Sequence, residues 1–112
     1  MRFLLIGLLC ATAAYAQTFI PHTPDVPLPD GAETETVFNF STEQARIMQV
    51  MVYAPESVAE TQAFYRDTLP QLGWQPTDAN TFKREADSLT LEQVPQEDGS
   101  AVFRLDLMIS EK

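Results

Sequence analysis

Cysteine is almost absent from this chain of 112 residues. Cys10 is the only one, and it sits inside an apolar N-terminal run. A lone cysteine closes no intrachain disulfide, so stability has to come from packing. Histidine also occurs once, as His22 with Asp25 nearby. One His and one Asp do not make a tight metal site, and a proline-rich segment is not the rigid support a catalytic base uses. The four glycines, Gly7, Gly31, Gly73 and Gly99, are too sparse to cradle a phosphate. No serine stands in a Gly-x-Ser-x-Gly elbow. Basic residues are few as well, 7 against 16 acidic ones for a formal net charge of −9. That balance leaves no basic stripe to neutralise phosphates, so nucleic acid and anionic lipid surfaces are poor partners. No cofactor and no metal is expected, and no catalytic residue can be named.

The N-terminus has the three parts of a secretory leader. Met1-Arg2 gives a positive start, Phe3 to Cys10 an apolar core, and Ala14-Tyr15-Ala16 an A-x-A site. Cleavage is expected between Ala16 and Gln17. The run from Phe3 to Ala16 falls short of the roughly 20 residues that span a bilayer. Leu9 before Cys10 argues against a lipoprotein site. Loss of the leader removes Cys10 and Arg2, which takes the net charge from −9 to −10. The short leader points to a bacterial periplasm and to no stable membrane insertion after its removal. The expected organisation is a signal peptide at 1–16, a proline-rich arm at 17–31 and one domain at 32–112.

The arm holds Pro21, Pro24, Pro27 and Pro29, half of the eight prolines. Each fixes φ and pushes its predecessor toward extended geometry. An extended arm ending in a Pro29-Asp30-Gly31 turn is therefore expected, with Phe19, Ile20, Val26 and Leu28 available to pin it down. Residues 35–40 and 45–54 read as two strands of a hairpin. Ser57-Val58-Ala59-Glu60 is a capping box. Behind it Val58, Thr61, Tyr65, Thr68, Leu69 and Leu72 recur at helical spacing to Gly73, a natural stop. Pro70 conflicts with an unbroken helix and predicts a kink or a tightened last turn. Short strands follow from Trp74, from Thr81 and from Ser88. Residues 101–109 alternate most cleanly, with Ala101, Phe103, Leu105, Leu107 and Ile109 on one face. Short turns between the late strands demand antiparallel pairing. The expected fold is α+β: an antiparallel sheet of about five strands, order β-β-α-β-β-β, with one helix across one face and the extended arm ahead of it.

The run Phe64 to Trp74, FYRDTLPQLGW, resembles a segment of small exported bacterial proteins of no assigned activity. In that group a helix ending in L-P-x-L-G-W precedes an antiparallel meander. The resemblance implies a Gram-negative envelope and transfers no catalytic residue.

Few features point to binding. Asn39-Phe40-Ser41 matches a glycosylation sequon inside an expected strand, a chance match. Glu97-Asp98-Gly99 lacks the alternating ligands of a calcium loop and reads as a solvated turn. Lys83 and Arg84 point to opposite sides of a strand and form no patch. Residues 47–53 stand out, because both strand phases are apolar: Met48, Val50 and Val52 on one, Ile47, Met51 and Tyr53 on the other. One helix covers one face. Either the arm, through Val26 and Leu28, covers the second face, or that face is a patch for a partner. Met48, Val50, Val52 and Tyr53 are the candidate binding residues. Ser57, Glu60, Pro70, Gly73 and Trp74 are read as structural, with Trp74 anchoring the helix end. The expected role is a non-enzymatic accessory module for an envelope protein, or a homo-oligomer. A carrier or sensor of a small apolar ligand and an inhibitor of a secreted enzyme are the alternatives.

Overall fold

The structure is a computed structural model that describes residues 18–110. The expected leader, with Ala16 and Gln17, lies outside the described residues. The elements are β1 (Glu33–Ser41), β2 (Ala45–Ala54), α1 (Val58–Thr68), a 3-10 turn (Leu69–Leu72), β3 (Gln75–Pro76), β4 (Thr81–Arg84), β5 (Asp87–Gln93) and β6 (Ala101–Ser110). They form one antiparallel sheet in the order β1-β2-β6-β5-β4-β3. Among the described residues the sheet thus has six strands, where about five are expected. The extra one is the two-residue β3, where Pro76, lacking an N–H, suits the outermost position.

The last strand, β6, lies centrally between β2 and β5. Its ten residues pair one for one with β2 from Ala101↔Ala54 to Ser110↔Ala45. Period-two patterning on both strands therefore coincides. Met48, Val50 and Val52 stand opposite Leu107, Leu105 and Phe103 on one face, joined there by Leu89, Leu91 and Phe82.

Local chemistry explains α1. The Ser57 hydroxyl accepts from Glu60 N–H at 3.0 Å, and Ser57 N–H donates back to Glu60 Oε1 at 3.1 Å. That satisfies two of the donors a helix start leaves open. Thr61, Tyr65 and Leu69 form the buried stripe. Pro70 tightens the end into the 3-10 turn, as the missing N–H requires. Gly73 then adopts φ 93°, its N–H donating to Pro70 O at 3.1 Å. A Cβ there would lie 3.2 Å from Arg84 Cδ, so glycine is needed for both backbone and space. Trp74 follows, fully buried.

The proline-rich segment is not extended throughout. Phe19 bridges Pro27, Ile20 N–H donates to Val26 O at 2.9 Å, and the intervening turn puts His22 and Asp25 at positive φ (66° and 57°). His and Asp are among the non-glycine residues that tolerate that region. The segment folds onto the same face as the helix. Ile20 and Val26 are buried within the core, with Leu28 packed against it. Trp74 Nε1–H donates to Asp25 O at 3.3 Å, and Arg46 Nη1 to His22 O at 2.8 Å. Arg84 joins three pieces: its Nη1 reaches Asp25 Oδ2 and Leu72 O, both at 3.1 Å, and its guanidinium lies 5.2 Å from the Trp74 ring centroid. Of the two expectations for the second sheet face, cover by Val26 and Leu28 is thus corrected, since arm and helix share the first.

Because Ile20 is a core residue, Ile20→Ala is expected to destabilise the fold by roughly 2–5 kcal/mol, read by urea denaturation. A loss within experimental error would show that the arm does not belong to the core.

Candidate binding surfaces

The uncovered face of the sheet is the first candidate. One lateral row runs Phe40, Ile47, Met108 across β1, β2 and β6, each residue the register partner of the next. Side chains so paired contact one another directly. Phe38 stacks on Phe40, with ring centroids 6.4 Å apart. Exposure is 50% at Phe38, 52% at Phe40, 42% at Ile47 and 52% at Met108. A contiguous group of half-exposed large apolar side chains differs from scattered ones and marks an interaction surface.

Further along the strands the face turns polar. Gln49 Nε2 donates to Asp106 Oδ1 at 3.0 Å. Arg104 pairs with Glu92 and approaches Asp106, Nε to Oδ2, at 3.4 Å without hydrogen-bond alignment. Tyr53 OH donates to Glu35 Oε1 at 3.0 Å. That hydrogen bond first, then desolvation and the Glu35 charge, pushes the phenol above its ordinary range. Glu33 and Glu35 flank the apolar row on β1, and no Lys or Arg occurs from residue 33 to 45.

β1 is also an edge strand, nine residues long. Its outward backbone groups have no neighbouring strand among the described residues. The register shifts between Thr36 and Phe38, so Val37 sits at a bulge and is exposed. The bulge and the glutamates are devices that discourage indiscriminate edge pairing.

Of the residues singled out from the sequence, Met48, Val50 and Val52 are buried beneath the helix and arm. They are closed to a partner. Tyr53 alone of the four faces outward, at 41% exposure. The phase Ile47, Met51, Tyr53 supplies the open face. Phe38, Phe40 and Met108 were not singled out. The signal for the phenylalanines was their i, i+2 spacing in a strand, which acquires meaning only once β1 is known to be an edge.

The second candidate is a cleft of about 430 Å³ on the helix side of the sheet. Phe82, Leu91 and Phe103 line it from the sheet, Gln62 and Arg66 from α1, and Ala79 and Asn80 from the β3–β4 turn. Asp78 shapes that turn by accepting from Asn80 N–H at 2.9 Å and Thr81 N–H at 3.0 Å. Among the described residues no cluster of three or more His, Cys, Asp or Glu is placed to hold a metal ion, and no helix is long and apolar enough to cross a membrane. Comparison with protein-family models, curated proteins and solved structures finds no match.

The turn carboxylates carry a pH dependence. Backbone donation from Asn80 holds Asp78 below the usual carboxylate range, and donation from the Ser100 backbone and hydroxyl does the same for Asp98. A carboxyl whose folded pKa is depressed stabilises the fold above its unfolded pKa and loses that contribution as pH falls through the folded value. NMR titration of both carboxyls is therefore expected to give midpoints below about 3.9. Midpoints at or above that value would mean that the turns are not held by these bonds.

Proposed function

We propose that this chain is an exported, non-enzymatic binding module whose partner is another envelope protein. It is recognised through the uncovered face of the sheet and the β1 edge. The carrying observation is the Phe38, Phe40, Ile47, Met108 group, half-exposed and contiguous on a sheet whose other face is packed. Export rests on the Met1–Ala16 leader pattern, which makes the periplasm the proposed compartment.

The partner supplies an extended segment that lies beside β1 as an added strand. Main-chain hydrogen bonds give such docking its affinity, and alternate side chains give it specificity. Apolar side chains of the segment cover Phe38 and Phe40. Cationic ones meet Glu33 and Glu35, on a stretch that carries no basic residue of its own. A second copy of this chain is the poorer occupant, because each copy is strongly acidic, −9 with the leader and −10 without it, and brings its own glutamates to the same edge.

A photo-crosslinking residue placed at position 38 or 40, in cells that express the protein, tests this. The expected result is an adduct with one other polypeptide, absent when the probe is at exposed Glu97 and lost when Glu33 and Glu35 are both changed to Lys. Adducts only with the chain itself, or none above the position-97 control, would contradict the reading.

A further inference from the structure

We infer that the cleft between α1 and the β4–β5–β6 side of the sheet is a binding site for a small amphiphile: an apolar body with one anionic head group. The site lies on the covered side of the sheet, opposite the proposed partner surface, so neither proposal depends on the other.

The shape comes first. At about 430 Å³ the cleft falls in the range of small-molecule sites, roughly 300–1,000 Å³. It opens where α1, packed on β6, stands apart from the β3–β4 turn. Phe82, Leu91 and Phe103 line it while remaining at least nine-tenths buried. They form the apolar part of the cleft floor. An apolar ligand body placed there leaves water for a surface that already belongs to the core.

The head group follows from charge. Among the described residues Arg66 is the only ionisable one in the lining, and none of the lining residues is a carboxylate. That is notable on a chain with 16 acidic residues. The Arg66 contact with Asp67 runs through Nε at 3.5 Å, with both side chains 69% exposed. Such a pair is weak and is a poor competitor for a carboxylate or phosphate bound in bidentate fashion. Gln62, Asn80 and Gln93 line the same cleft, and their amides are neutral donors. One cation, neutral donors and an apolar floor are complementary to a single anion carried on a hydrocarbon. The net charge of −9 meanwhile opposes approach to an anionic bilayer, so the ligand is a single molecule and not a membrane surface.

Amide NMR of the purified protein titrated with dodecanoate below its micellar concentration tests this, with dodecyltrimethylammonium as the same chain carrying the opposite charge. Saturable shifts are expected at Gln62, Arg66, Asn80 and Gln93 and not at Phe38 or Phe40. Binding of the cationic amphiphile is expected to be weaker by about fivefold, and Arg66→Gln is expected to weaken dodecanoate by about the same factor. Arg66 is exposed, so that variant folds, which its unchanged amide spectrum elsewhere verifies. No saturable shift, equal affinity for the two amphiphiles, or shifts centred on the open face would each overturn the proposal. Co-sedimentation with anionic phospholipid vesicles without a dodecanoate response would overturn it too.

Discussion

The structure depends on one constraint: among the described residues, helix and N-terminal segment cover the same side of the sheet. β2 and β6 pair over ten residues, and their in-register apolar phases need a roof. The helix supplies Thr61, Tyr65 and Leu69, and the N-terminal segment supplies Ile20 and Val26. Arg84, Asp25 and Trp74 tie helix end, arm and sheet edge into that roof. Among the described residues no second apolar element is left to place on the other face. An antiparallel sheet tolerates such asymmetry, since one of its faces can meet water.

The asymmetry is what makes the open face informative. Polar residues would have sufficed there, and over much of the face they are present, as Gln49, Arg104, Asp106 and Glu92. At the end shared by β1, β2 and β6 the composition instead becomes Phe38, Phe40, Ile47 and Met108. The hydrophobic effect gives a group of that kind nothing in the isolated protein and a good deal in a complex. On the roofed side, the helix leaves a cleft whose one charge is of the minority sign. The molecule thus presents two surfaces of unlike chemistry, separated by the thickness of the sheet.

The parts of this arrangement readable in the sequence are those set by local rules. The capping box at Ser57 and Glu60, the tightening at Pro70, the stop at Gly73 and the alternation from Ala101 to Ile109 each depend on neighbours a few residues away, and each is seen. The two apolar phases of β2 were also legible. Their assignment to faces was not, because strand periodicity separates Met48 from Ile47 without saying which side receives the helix. The turn within the arm is not legible in the sequence, for a related reason. Four prolines predict extension, but a turn at His22 and Asp25 brings Ile20 and Val26 into the core. The two-residue β3 is too short to leave a pattern. The cleft is invisible in sequence, since Gln62, Asn80 and Gln93 meet only through tertiary packing.

Solvent accessibility of the methyl groups tests one-sided coverage most directly. A neutral, freely diffusing paramagnetic agent should broaden the methyl signals of Ile47, Met51 and Met108. Those of Met48, Val50, Val52, Leu105 and Leu107 should stay sharp. Comparable protection of the two sets would mean that the second face is covered as well, and the account of this molecule as a sheet with one free side would fail.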